Sequence, residues 1–207
     1  IFDHMDAASD LSTCFRYSYG VGTGVMGVPN DDSRWGNCYG NIRATNHMFE
    51  RAVSSYTGNL ADIKKELAEG HFFRAYNYFY LLKFFGGVPV VTKVLDVTSP
   101  ELSGKRNSRY EVVNLILSDL DEAIAGLPLE QNITSADKGK ISKQAAQAFK
   151  ARVLLYEATW RKYNGTSTDF EGSAGPASDQ VNAFLEESVQ LSETVMGDAA
   201  YSLWNYN

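Results

Sequence analysis

Glu69-Gly70-His71-Phe72-Phe73-Arg74-Ala75-Tyr76-Asn77-Tyr78-Phe79-Tyr80-Leu81-Leu82-Lys83-Phe84-Phe85-Gly86-Gly87-Val88-Pro89-Val90-Val91-Thr92 is the stretch whose reading decides the fold. Ile63 and Leu67 start an apolar stripe ahead of it, and aromatic and aliphatic residues over 72–85 then crowd every face of a helix predicted over 61–85. A helix apolar all round is buried on most sides, which makes this one central. Gly86-Gly87 stops it, and the Val- and Pro-containing run 88–92 reads as a short extended segment. Glu69 and Arg74 are five residues apart, on different faces, so they do not pair with each other. A guanidinium in a largely buried helix needs carboxylate or carbonyl acceptors, and it then fixes neighbouring helices. Arg74, Gly86, Gly87 and Pro89 are therefore read as scaffold.

Outward from this helix the pattern stays helical. Upstream, from Trp35, the residues Tyr39, Ile42, Asn46, Phe49 and Val53 recur at steps of three and four, and Gly58-Asn59 ends the run. Downstream, Ser108 with Glu111 has capping-box spacing. The helix it opens carries Tyr110, Val113, Leu117, Leu120, Ile124 and Leu127 inward and closes at Gly126 and Pro128. Ser142 caps a fourth helix. Its Ala145, Ala146, Ala148 and Ala151 permit close approach, while Phe149, Val153, Leu154 and Tyr156 fill core space. After a polar loop over 164–178, a fifth helix over 179–196 turns Val181, Phe184, Leu185, Leu191 and Val195 inward. The helices read as two successive pairs and one alone. The expected fold is mainly all-α, an irregular tetratricopeptide-like stack of helix pairs with long loops and at most one short extended segment.

Composition narrows the function classes. The 207 residues hold 19 Lys+Arg against 25 Asp+Glu, a formal charge of −6 with no basic stripe to attract nucleic acid. No apolar run is long enough to span a bilayer, and two Cys exclude a disulfide-dense scaffold. The segment 1–34 is loop-rich, with one short helix over 6–17. Its Gly20-Val21-Gly22-Thr23-Gly24 run lacks the Gly-Lys-Ser/Thr ending of a phosphate loop. Residues 35–197 form the helix-pair scaffold of a single domain. The chain starts at Ile1 and stops in an aromatic stretch, Tyr201 to Tyr206, as a piece of something larger would.

Specific residues add a resemblance. The motif Glu69-x-x-Phe72-x-Arg74-Ala75-x-x-Tyr78-Phe79, ending in Phe85-Gly86-Gly87-Val88-Pro89, resembles the signature of the SusD/RagB family. Trp35-x-x-x-Tyr39-x-x-Ile42-x-x-x-Asn46 resembles the preceding helix of that family. Ser108-Arg109-Tyr110-Glu111 with Asp119-Leu120-Asp121-Glu122-Ala123, and Ile141-Ser142-Lys143-Gln144 with Ala151-Arg152-Val153-Leu154-Leu155-Tyr156, resemble the next two in order. The resemblance implies a missing C-terminal half and a lipid-anchored protein on the extracellular face of the outer membrane. Such a protein binds oligosaccharides, or in some members peptides, and delivers them to a SusC-like TonB-dependent transporter. It implies no cofactor. A helical-repeat adaptor that binds only protein is the alternative of another class.

No catalytic group is expected. His4, His47 and His71 are not at metal-ligand spacing from one another or from a Cys. His71 reads as a satisfied core residue. Asp119, Asp121 and Glu122 read as the solvated face of their helix and not as a glycosidase pair, whose carboxyls must converge across a cleft. Nothing in the sequence brings Cys14 and Cys38 together. Sugar binding asks for aromatic rings beside polar groups. Asp31, Asp32, Arg34 and Trp35, with Tyr19 upstream, supply that chemistry on a loop entering a helix, where the family commonly forms part of its ligand surface. Trp35 reads equally as a core anchor at the helix start, and the charged residues as a solvated turn. A second candidate patch is Trp160 and Tyr163, at the end of the fourth helix.

Overall fold

In the computed structural model, residues 32–166, 176 and 178–202 are described, almost all of them in one compact unit, Arg34–Asn207. Among these residues there are five α-helices and no strand: α1 Ser33–Ser54, α2 Lys64–Phe85, α3 Arg109–Gly126, α4 Lys143–Asn164 and α5 Val181–Met196. The helix expected over 6–17 and the glycine run 20–24 lie outside the described residues.

The helix ends follow local chemistry. α1 stops at Ser54, short of Gly58-Asn59, because Asn59 caps the next element instead. Its side-chain oxygen accepts from Ala61 N–H at 3.0 Å and opens the 3-10 turn Leu60–Ile63. α2 therefore begins at Lys64 and not at 61. Gly86 closes it at φ +66°, donating its N–H to Leu82 O. The Ser108–Glu111 capping box is complete: Ser108 Oγ accepts from Glu111 N–H, and Glu111 Oε2 accepts from Ser108 N–H at 2.7 Å. Ser142 Oγ caps α4 through Ala145 N–H.

The tightest packing pairs α2 with α3 and α4 with α5, a frame one helix later than the sequence reading, which had left α5 alone. Gly126 shows why. A Cβ there would lie 2.6 Å from Ala68 Cβ and 3.2 Å from Lys64 O, so its absence is what lets α3 close on α2. α1 stands further off and reaches α2 through long side chains. Trp35 meets Phe85 edge-on at 5.2 Å, Phe49 lies against His71, and Asn41 donates to Asn77.

One burial expectation changes and another is narrowed. Val53 is 79% exposed, because in the last turn of α1 Ala52 faces inward and Val53 sits a further 100° round. α2 is buried on most sides, as expected, but one stripe of it stays open. Ala68, Phe72, Ala75, Tyr78, Phe79, Leu81 and Leu82 enter the core, but Phe73, Tyr76 and Phe84 are each nearly half exposed. Phe73 packs on Phe72, Tyr76 on Phe149 of α4, and Phe84 on Tyr80 at 4.9 Å.

The segment 88–92 after α2 is neither helix nor strand, and side chains satisfy its backbone. Tyr39 Oη donates to Pro89 O at 2.7 Å, and Asn46 Nδ2 donates to Val91 O at 2.9 Å. Val91 N–H donates to Tyr78 Oη, and Val90 N–H to Asn107 Oδ1. Burial pushes the Tyr78 phenol up to about 12, so it keeps its proton near neutral pH.

Candidate functional site

Trp35 sits in the first turn of α1, half-buried, with Tyr39 one turn on at a ring distance of 5.0 Å and the Arg106 guanidinium over its ring at 5.4 Å. Both readings of Trp35 therefore have a structural basis: its edge is wedged on Phe85, and the ring also lines an open groove. The groove has a volume of about 800 Å³ and runs between α1 and the loop over 89–102. Trp35, Tyr39, Pro89 and Val91 form its apolar wall, while Arg43, Lys93, Asp96 and Glu101 supply charged edges. Arg43 Nη1 donates to Leu95 O at 3.0 Å, and Lys93 meets Glu101 at 2.6 Å, so both cations are already oriented.

The other residues of this candidate patch are placed differently. The Arg34 guanidinium lies 4.3 Å from the centre of the Phe84 ring, on the exposed aromatic side of α2. Asp32 is half-buried just ahead of α1. Tyr19 and Asp31 lie outside the described residues, as does Cys14. Cys38 is buried with a free thiol, whose proton burial holds more firmly than usual.

Sequence reasoning named no site residue in the outer wall of the groove, 93–102. One local signal marks it as ordered. Asp96-Val97-Thr98-Ser99 has the composition of an Asx turn, and it forms one: Asp96 Oδ1 accepts from Thr98 N–H at 2.7 Å, and Ser99 Oγ accepts from Asp96 N–H. Those bonds from Thr98 hold the Asp96 carboxyl below its ordinary range, so it stays an anion at the groove edge.

Trp160 and Tyr163 do come together, in a second groove of about 540 Å³ between α2 and α4. The Arg109 guanidinium packs on the Trp160 ring at 4.1 Å. That arginine is itself fixed by Glu157, which also receives Arg161 Nε at 2.8 Å, and all three side chains are almost fully buried.

Asp119 corrects the expectation of a solvated acidic face. It is 2% exposed and accepts Arg74 Nε and Nη2, each at 2.7 Å, with His71 Nδ1 also 2.7 Å away. Arg74 Nη1 donates to Asn46 Oδ1 at 2.9 Å. Burial alone would raise the Asp119 carboxyl, but the bonds from Arg74 and His71 outweigh it and hold the group below its ordinary range. This cluster ties α1, α2 and α3 together. Asp121 and Glu122 are exposed, and Asp121 receives Lys150 of α4 at 2.6 Å. Among the described residues there is no group of three His, Cys, Asp or Glu able to hold a metal ion, and no helix long and apolar enough to cross a membrane.

Comparison with known proteins gives one consistent result. Residues 28–155 match the SusD-like_3 family, described as starch-binding associating with outer membrane. SusD-like protein P38 of Formosa agariphila is 34% identical over 108 residues, covering 52% of this chain and 20% of that protein. A SusD-like protein of Bacteroides fragilis superposes with a TM-score of 0.62 at 32% identity, over 69% of this chain and 28% of that one. A laminarin-binding SusD-like protein superposes at 0.58 with 26% identity, over 71% and 33%. The chain thus spans no more than about a third of the length of these relatives. With the family matched across α1, α2, α3 and most of α4, the chain belongs to the SusD-like family of starch-binding proteins that associate with the outer membrane.

Proposed function

We propose that this protein binds an oligosaccharide at the cell surface and passes it to a SusC-like TonB-dependent transporter, with no bond made or broken. The observation that carries the reading is the groove beside α1, where Trp35 and Tyr39 stand next to Arg43, Asp96 and Glu101. A sugar ring has an apolar C–H face that stacks on an aromatic side chain and a rim of hydroxyls that need donors and acceptors. The described wall offers both. The helices over 35–197 serve as the frame, and a lipid anchor holds the protein on the extracellular face of the outer membrane. A solved relative that binds laminarin supports a glycan as the ligand class.

Calorimetric titration against a panel of neutral oligosaccharides and peptide mixtures tests this reading. Glycan heats that fall about tenfold or more in affinity in Trp35→Ala, with the helical circular dichroism unchanged, are the expected result. A response to peptides alone would replace the ligand class. Recovery of the native protein with a large outer-membrane β-barrel is the matching test of the transporter, and recovery with soluble partners only would defeat it.

A further inference from the structure

The groove between α2 and α4 is physically unlike the one beside α1. On α4, Tyr156, Trp160 and Tyr163 recur at steps of four and three, so their rings share one face over roughly 10 Å of helix, about the length of a disaccharide. Tyr163 is 78% exposed, and Trp160 has one side fixed on the buried Arg109 guanidinium while it lines the groove. Trp160, the middle ring, is thus held in place before any ligand arrives, which lowers the ordering cost of binding.

The polar lining narrows the ligand. Thr159 Oγ1 already donates to Leu155 O, and Asn164 Nδ2 to Trp160 O, both internal to the helix. Thr159 Oγ1 still offers acceptor capacity, and Asn164 its amide oxygen and second N–H, which together suit sugar hydroxyls. The charged lining is Lys83 and Arg152, both exposed, with Lys162 beside the Tyr163 ring. No carboxylate lines the groove among the described residues, although the chain as a whole carries a formal charge of −6. Cations concentrated on a net acidic molecule mark this face for an anion.

We infer that the α2–α4 groove is a second glycan site, selective for sugar rings that carry an anionic group, a uronate or a sulfate. Stacked rings take the apolar sugar face, Thr159 and Asn164 take hydroxyls, and Lys83 and Arg152 take the charge. An acidic peptide satisfies the cations but lacks the regularly spaced flat faces that three aligned aromatic rings select. The inference rests on the glycan reading above but assigns a different surface and a different sugar chemistry.

Titration of the 207-residue chain with an oligogalacturonate, a sulfated carrageenan oligosaccharide, a neutral oligosaccharide of matched length and poly-glutamate tests it. The acidic sugars are expected to bind about tenfold tighter than the neutral one, with affinity falling as salt is added. The two acidic probes identify which anion the groove takes. Lys83→Gln with Arg152→Gln removes the preference and leaves the neutral affinity in place. Tyr163→Ala weakens acidic binding about tenfold with the melting temperature unchanged. Arg152→Glu gives a second charge variant at an exposed position. Equal affinity for acidic and neutral sugars overturns the inference, as does equal binding of poly-glutamate or a preference that survives the double variant. Parallel titration of Trp35→Ala separates the two readings, since neutral binding falls with Trp35 and the acidic preference with Lys83 and Arg152. Binding of neutral sugars only would sink this inference alone. Binding of no sugar at all would sink both.

Discussion

At the scale of single residues, Asp119 decides more than any other group. Arg74 demanded acceptors as soon as its helix was read as buried, but the sequence did not name the partner. Asp119 sits in an acidic run with Asp121 and Glu122, which looks like a solvated face. The readable signal was periodic: Val112, Ile116, Asp119 and Ala123 fall on one stripe, and all four are 2% exposed or less. The stripe chosen from the sequence, through Val113, Leu117 and Leu120, is the neighbouring one, and α3 buries both. Asp119→Asn leaves the Arg74 guanidinium facing a neutral, weaker acceptor, and urea unfolding at pH 7 is expected to show a loss of about 3 kcal/mol. The pH dependence has a definite sign. A folded carboxyl held below its unfolded value of about 3.8 stabilises fully above that value and stops doing so as pH falls through the folded one. The gap between wild type and Asp119→Asn should therefore be constant near neutrality and narrow below about pH 4. A gap that stays constant into acid would show that the charge of Asp119 does not carry the effect.

At the scale of elements, what the sequence showed best was ends, and what it showed least was neighbours. Caps are local: Ser108 with Glu111, Ser142 and Gly86 each act within a few residues, so composition is enough to find them. Ser108→Ala is expected to cost about 1 kcal/mol in thermal unfolding, the ordinary loss of an N-cap, and slightly more because Ser108 is buried. The extended segment after α2 is the opposite case. Its lack of helix was legible from Gly and Pro, but its partners were not, since it pairs with side chains of α1, α2 and Asn107 instead of a strand. Gly126 likewise read as a helix terminus and proves to be a contact point as well. Gly126→Ala places a methyl against Ala68 and the Lys64 carbonyl, and a loss of about 1–3 kcal/mol is expected from overpacking. Ala68→Gly in the same background should recover part of that loss if the clash with its Cβ is the cause, and no recovery would assign the effect to the backbone oxygen.

At the scale of the whole molecule, helix count and helix character could be read from periodicity, whereas the pairing frame depends on which helices approach closely, a property of two surfaces at once. The candidate site was legible to the same degree. Trp35, Trp160 and Tyr163 were named from residue type, while the loop wall over 93–102 and Lys83 in the Trp160 groove come from other parts of the chain. The two tight pairs, α2–α3 and α4–α5, must then be joined. The joint is a buried charge network at the α3–α4 contact. Glu157 on α4 receives Arg109 from α3 and Arg161 from its own helix, and Arg161 continues to Asp179 O and Gln180 Oε1 at the start of α5. One carboxylate thus serves two guanidiniums, and its removal strands charge on both sides of the joint. Glu157→Gln is nearly isosteric, so packing is preserved and the change is electrostatic. The expected loss is about 3–5 kcal/mol, as for breaking a buried ion pair. If the network couples the pairs, the denaturant transition should also broaden or split, because α4–α5 can then open before α2–α3. Hydrogen exchange would locate the early opening in α4 and α5. A single transition of unchanged steepness, merely shifted to lower denaturant, would mean that Lys150, which spans from Asp121 of α3 to Glu187 of α5, carries the coupling instead.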